Sequence, residues 1–361
     1  MERRRPRLRE LGFTLGSLPT GPLNAITDVP GIGVGHTTVI TDQPTTTRTG
    51  VTVIMPRPVA ELDQLAYGGL FSFNGNGEFT GSHWLAESGL VSGPIAITNT
   101  DQVGLVRDEL VAYEAARSPA LEWCLPLVGE TWDGVLNDIH ARGLRAEHVH
   151  QALDAASSPS GRGPVAEGNV GGGTGMICHG FKGGIGTSSR VVTTAGEQYT
   201  VGVLVQANYG HRELLTLDGR AVGSVIDHTV VPLPPDDAPA ASGDTGSIIV
   251  VVATDAPLLA DQCARLARRA TVGLARVGGF GSDSSGDIFL AFATGNRLPA
   301  GATQPVDVRT LPHEALTPLF RGTAEATEEA IWNALCAAET MTGFRGATVH
   351  AIPLDRLTAL A

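Results

Sequence analysis

The sequence predicts a layered α/β or α+β protein, and three observations carry that reading. Runs rich in Val and Ile, bounded by turn residues, alternate along the whole chain with stretches whose apolar residues recur at helical spacing. No internal repeat and no shift in composition divides the 361 residues into two units. The run Ile248–Val252 is apolar at every position, which suits a strand covered on both faces.

Taken in order, alternation from Val34 to Ile40 predicts the first strand, entered through the Pro30-Gly31 turn. The glycines at 31, 33 and 35 lack the G-x-G-x-x-G spacing and no helix pattern follows, so a dinucleotide fingerprint is rejected. Val51–Met55 is the next strand. Phe71–Gly81 reads either as a hairpin with Asn-Gly turn chemistry or as the wall of a pocket. Ser82 caps a short helix to Glu87, and Pro94–Asn99 is a strand. Leu105, Val106, Leu110, Val111 and Tyr113 form the stripe of a helix over Leu105–Ala116. Pro126–Glu130 is a strand that runs into Thr131-Trp132-Asp133. A helix over Leu144–Ala156 carries His148 and His150, which that spacing turns to different faces, against metal binding.

The Gly-rich tract 158–188 contains no Walker A pattern. Its backbone either passes close to a buried site, cradles an anion, or forms long hairpin loops. Arg190–Ala195 and Tyr199–Ala207 pair around Gly196-Glu197, leaving Asn208 at a strand end. Val230–Asp244 is too rich in proline for sheet or helix and suits an exposed segment. After the core strand, Thr254-Asp255-Ala256-Pro257 signals a helix running to about Ala275, with Leu259, Cys263, Leu266, Ala270 and Leu274 facing inward. The strand Ile288–Phe292, a helix from Thr323 to about Met341 and a strand over Thr348–Ile352 complete the chain.

Composition narrows the function. A formal net charge of -12 argues against a nucleic-acid partner, which needs a basic footprint. The arginines at 3, 4, 5, 7 and 9 read as a solvated tail. No apolar stretch reaches membrane-spanning length and no apolar segment follows the N-terminal arginines, so no membrane partner is expected and the cytoplasm is the expected compartment. Lys182, the sole lysine, reflects a compositional bias toward arginine. Cys124, Cys178, Cys263 and Cys336 form no C-x-x-C pair and are expected as buried free thiols.

The chemistry gathers at the ends of core strands. Gly246 lets the backbone bend just before Ser247, which opens the apolar run. Ser285 and Asp287 stand before another strand, and Asn208 closes a third. A serine nucleophile needs a base, an orienting group and an oxyanion donor. The residues alone leave open whether Ser247 does more than lead a loop into a strand.

Several stretches resemble one family, the L-aminopeptidase/D-amidase/esterases and β-peptidyl aminopeptidases. They include Gly246-Ser247 with the strand behind it, Ser284-Ser285-Gly286-Asp287, Ile26 to His36, and Asn74 to Gly81. Gly129 to Gly134, Val205 to Asn208 and Glu325 to Leu335 match in the same order, so the likeness spans nearly the whole chain. The resemblance implies a four-layer α-β-β-α sandwich of the N-terminal-nucleophile-hydrolase type, with the family's own strand connectivity. It implies a single domain over 1–361 that cuts itself between Gly246 and Ser247 into an α fragment, 1–246, and a β fragment, 247–361. The Pro-rich run would then become a tail free to move off the site.

By the same resemblance Ser247 is the nucleophile, Ser285 and Asp287 form a hydrogen-bonded relay, and Asn208 helps form the oxyanion hole. Glu130 would receive the substrate's ammonium group and Trp132 would line the pocket. Asp287 stands where some members have Glu, one methylene longer. No metal and no organic cofactor is implied. The substrate would be a short peptide, amide or ester with a free N-terminal amine, and the assembly a homotetramer of αβ units. Two alternatives stand beside this reading. One is an aminoacyl or acetyl transferase like the self-cleaving ornithine acetyltransferases, whose nucleophile is threonine. The other is a non-catalytic ligand binder on the same fold.

Overall fold

The computed structural model describes residues 4–117, 123–235 and 246–360. The strands and helices follow one another as β1 (Gly33–Thr41), β2 (Thr47–Met55), β3 (Gln64–Ser72), α1 (Ser82–Ser88), β4 (Leu90–Val91), β5 (Ile95–Asn99), α2 (Val103–Arg117), β6 (Leu127–Thr131) and α3 (Ala146–Ser157). There follow β7 (Ile177–Cys178), β8 (Phe181–Lys182), β9 (Gly184–Thr194), β10 (Glu197–Asn208), α4 (Val222–Val225) and β11 (Ser247–Thr254). Then come α5 (Ala260–Ala267), α6 (Ala270–Val277), β12 (Gly286–Pro299) and α7 (Thr317–Ala337), with a short pair, β13 (Met341–Thr342) and β14 (Thr348–Val349), and α8 (Leu354–Thr358) at the end.

Two sheets carry the architecture. One has the order β1-β2-β5-β6, the other β4-β3-β12-β11-β10-β9. Alternation along β11 shows how one strand serves two cores. Ile248, Val250 and Val252 pack toward α5, α6 and α7, with Leu266, Leu274 and Trp332 among their companions. Ile249, Val251 and Ala253 face the other sheet and meet Ile54, Ile97 and Leu127. A third core joins Val51, Val53 and Val128 to Val106 and Leu110 of α2 and Leu153 of α3. Helices, sheet, sheet, helices: this is the expected four-layer sandwich. Burial on both faces explains why β11 needs no polar residue between Ser247 and Thr254.

Where expectation and structure part, close packing is the usual reason. No element is expected over residues 64–70, where the structure has most of β3, with Gly68 and Gly69 in its middle. They are strand residues because α5 crosses so closely that a Cβ on Gly69 would collide with the Ala264 backbone. β9 likewise begins at Gly184, inside the Gly-rich tract, since a Cβ on Gly186 would strike the Ala330 carbonyl of α7. The helix expected to run to about Ala275 is two helices, divided by a tight turn in which Arg269 N–H donates to Leu266 O at 2.9 Å. Asp255 does not cap that helix; its carboxylate accepts from Thr200 N at 2.7 Å. His148 accepts from Arg145 N and His150 pairs with Glu109, so the two share no partner. Cys178, Cys263 and Cys336 are buried free thiols as expected, while Cys124 is half-buried.

The last helix begins earlier than the apolar pattern suggests, at Thr317, and ends at Ala337. Its charged residues are not a solvated face. Glu325 and Glu329 are buried against Arg190 of β9, whose Nη2 lies 2.7 Å from Glu329 Oε2 and whose Nε lies 3.4 Å from Glu325 Oε2. Arg9 caps the cluster with a two-pronged bond to Glu329. Burial raises a carboxylate's pKa, but the Leu18 N–H and Arg321 hold Glu325, and Arg9 and Arg190 hold Glu329, below the ordinary value. Replacing Arg190 by leucine takes from two buried carboxylates their one shared cation, leaving Glu329 to Arg9 and Glu325 to Arg321, and a loss of about 3 kcal/mol is expected. Urea denaturation measures it; a midpoint unchanged from wild type would show that the ion cluster carries no net stability.

Candidate active site

The ends of β10, β11 and β12 converge because the strand register brings them there. Ser247 lies opposite Asn208 across the antiparallel β10–β11 pair and opposite Gly286 across the parallel β11–β12 pair. Three residues far apart in sequence thus share one sheet end. On that end opens a cavity of about 600 Å³ between the two sheets, lined by Ser247, Gly246, Asn208, Glu130 and Trp132 among others. A volume of this size suits a small molecule.

Ser247 Oγ donates to the carbonyl oxygen of Gly246 at 2.7 Å. The Gly286 N–H approaches both Ser247 Oγ and Gly246 O at 3.2 Å. Ser247 is only 8% exposed, so the hydroxyl reaches solvent only through the cavity. Beside it, Ser285 Oγ donates to Asp287 Oδ1 at 2.7 Å, and Asn74 Nδ2 lies 3.3 Å from Asp287 Oδ2. Burial raises the Asp287 pKa above the usual aspartate value, against the opposing pull of the Ser285 and Asn74 bonds.

Asn208 is held at both ends of its amide. Its Oδ1 accepts from Ile177 N at 2.8 Å and its Nδ2 donates to Trp132 O at 2.9 Å. An amide nitrogen carries two hydrogens, so one N–H remains for the cavity. Beneath, buried Lys182 fixes the loop that bears Ile177, donating to Met176 O at 2.8 Å, Gly183 O at 2.9 Å and Gly173 O at 3.3 Å. Burial pulls the Lys182 pKa down to about 7, with Asp133 opposing.

Glu130 is the penultimate residue of the edge strand β6 and is 3% exposed. Its Oε1 accepts from Glu78 N at 2.8 Å and its Oε2 from Thr100 Oγ1. Burial is the first cause of its raised pKa, and these two bonds moderate the rise. A buried carboxylate beside a small-molecule cavity, with no cation among its bonded partners, is suited to receive one. Among the described residues, no three His, Cys, Asp or Glu side chains cluster as a metal site.

Residues 24–349 match peptidase family S58. The chain belongs to that family. Its curated relatives include the β-peptidyl aminopeptidase BapA of Sphingosinicella microcystinivorans, 45% identical over 98% of this chain and 91% of the relative. A β-aminopeptidase from Burkholderia sp. is 51% identical, with a TM-score of 0.90 over 98% of both chains. The L-aminopeptidase D-Ala-esterase/amidase of Ochrobactrum anthropi, described as a prototype of the serine aminopeptidases and a variant of the N-terminal-nucleophile hydrolase fold, is 42% identical. It superposes with a TM-score of 0.90 over 99% of this chain and 98% of its own. The S58 chain is therefore an N-terminal-nucleophile-type hydrolase acting on peptide bonds.

All the expected site residues of this peptidase line or adjoin one cavity. Ser247, Asn208, Glu130, Trp132 and Gly246 line it directly, and Ser285 and Asp287 line a smaller recess on the other side of Gly246. Asn76, Gly77 and Glu78 form a wall, which favours the pocket reading of Phe71–Gly81 over a simple hairpin. Sequence reading missed the backbone partners: the Gly286 and Ile177 N–H groups and the Trp132 carbonyl. Backbone groups are the same at every residue, so no sequence signal marks them. It also missed Asn74 and Thr100, whose roles depend on contacts across the fold. Residues 236–245 of the Pro-rich run lie outside the described residues, and Leu233 and Pro234 before them line the cavity. Among the described residues no helix is long and apolar enough to cross a membrane.

Proposed function

We propose that this S58 chain is a self-processing serine aminopeptidase that removes N-terminal residues from short peptides, amides or esters. The observation that carries the reading is the placement of Ser247 between Asn208 and Gly286, at a cavity whose wall also holds the buried Glu130. In the precursor, Ser247 Oγ attacks the Gly246 carbonyl carbon. The Ser247 nitrogen leaves as an amine, taking a proton, and the chain is joined by an ester. Water then adds to that ester, releasing the Gly246 carboxylate and returning the hydroxyl. The Gly286 N–H, within 3.2 Å of the Gly246 oxygen, supports the first step by stabilising negative charge there.

In the cut enzyme Ser247 carries both its hydroxyl and a free α-amine. That amine has an ordinary pKa of about 7.7–8.0, so part of it is neutral near pH 7 and can act as base. Ser285 and Asp287 orient the reacting groups, and the spare N–H of Asn208 meets the oxyanion. Glu130 takes the substrate's ammonium group, and the Trp132 ring bounds the pocket. The acyl group is then carried on Ser247 until water releases it. The two fragments stay together because β11 and β12 of the β fragment lie between β3 and β10 of the α fragment, and parting them would expose both cores. The names of the relatives favour β-amino residues among the substrates.

The test is a panel of L-alanyl, D-alanyl and β-alanyl p-nitroanilides with their N-acetylated counterparts. Hydrolysis of free-amine forms is expected, with the acetylated forms at least on the order of 10²-fold slower. Equal rates on both forms would remove the aminopeptidase reading.

A further inference from the structure

The far end of the cavity is closed by the chain that leads toward the scissile bond. Leu233 lies over Gly180, its Cδ2 2.9 Å from where a Cβ on that glycine would stand, and it keeps 45% of its surface exposed. This segment is fastened down. Arg212, buried below, donates to Val231 O at 3.0 Å and Ile226 O at 3.3 Å on the segment. It also donates to His179 O at 2.9 Å and Gly180 O at 2.6 Å on the cavity wall. Its guanidinium sits 3.4 Å over the Phe181 ring. These bonds do not involve Gly246 or Ser247, so cutting there leaves them in place.

The order of groups along the cavity gives the wall its role. Glu130 lies toward β12, since a Cβ on Gly77 would stand 3.1 Å from Glu130 Oε1 and 3.4 Å from Gly286 Cα. Ser247 stands on β11 and Asn208 on β10. Gly180 and Leu233 lie beyond β10, where His179 N–H donates to Tyr209 O at 2.7 Å. With strands about 4.8 Å apart, the cavity from Glu130 to Leu233 spans roughly 10 Å or more. An aminoacyl group needs only a few ångströms, roughly two or three bonds, between its ammonium and its carbonyl carbon. What reaches the far end is the group past the carbonyl.

We propose that Leu233 and Pro234 form the subsite for the leaving side of the scissile bond, fitted to an apolar second residue. Arg212 is the positioning residue that keeps this wall in the cut enzyme. The inference rests on the aminopeptidase reading above. It also replaces the expectation that the whole Pro-rich run moves off the site: the part through Pro234 stays as wall.

The experiment compares alanyl-leucine with alanyl-glycine, and leucyl amide with alanyl amide, in the self-cleaved enzyme. Leu233→Ala should lower the preference for alanyl-leucine over alanyl-glycine roughly tenfold, through KM, and leave the leucyl-to-alanyl amide preference within about twofold. Arg212→Lys should reproduce that loss and make residues 227–235 sensitive to protease. An unchanged dipeptide preference in Leu233→Ala overturns the wall, as does a shift confined to the amides, which would put Leu233 on the acyl side. A wild-type enzyme inert to every one of these compounds would sink the aminopeptidase reading itself, and the subsite with it.

Discussion

Ser247→Ala is expected to give one uncut chain without measurable peptidase activity. In the proposed mechanism the hydroxyl is the attacking atom in both self-cleavage and turnover, so a single substitution should remove both. Loss of the nucleophile in serine hydrolases costs on the order of 10⁴–10⁶ in rate. Intact mass under denaturing conditions reads the first effect: wild type should give two fragments, the second beginning at Ser247, and the variant a single chain. Release of p-nitroaniline reads the second. The variant should stay folded, because among the described residues Ser247 Oγ bonds only to Gly246 O and the Gly286 N–H. A Ser247→Ala protein that still divides at this bond would place the nucleophile elsewhere.

Glu130→Gln should cost free-amine substrates on the order of 10²–10³ in kcat/KM, the scale of a buried charge pair losing one partner, about 2–5 kcal/mol. Activated esters of N-acetylalanine, which bring no ammonium, should lose far less. Equal losses on both would mean that Glu130 holds up the Glu78 and Thr100 wall and does not bind the amine. The pH dependence has a definite sign. Burial raises the free-enzyme pKa of Glu130, and in the proposed role only the ionised form would bind the ammonium. KM for amine substrates should therefore climb as pH falls through that raised pKa, and the glutamine variant should lack this climb. A wild-type KM flat with falling pH would count against the ammonium role.

Much of the site was legible in the sequence, chiefly where a local pattern coincides with a chemical one. Gly246-Ser247 stood out because a flexible residue meets a run of five apolar ones. The residues Ser285 and Asp287 stood out as polar groups at the threshold of a second apolar run. Their assembly did not follow from those patterns. The matched stretches of a known family linked Ser247 to Asn208 and Glu130; the strand register then set Asn208 beside Ser247, and the shared cavity brought in Glu130 from the other sheet. Two strands that the sequence does not mark share a cause. Gly69 and Gly186 sit inside β3 and β9, and a glycine written in a sequence does not say whether it bends the chain or admits a neighbour.

By itself the sequence determined the order of most strands and helices, the double-sided burial of β11, the acidic balance and, through family likeness, the candidates for the reacting groups. Local periodicity and composition suffice for the first three, since they depend on neighbours along the chain. Only the tertiary structure decided which backbone groups serve the site. It put the Ile177 and Gly286 N–H groups and the Trp132 carbonyl around Asn208 and Ser247, buried Glu325 and Glu329 against Arg190, and turned Leu233 into a cavity wall. Those outcomes depend on contacts between residues far apart along the chain, such as Gly286 with Ser247, 39 positions apart, and Arg190 with Glu329, 139 positions apart. Such contacts are fixed by how the layers pack, and no local stretch of sequence carries that information.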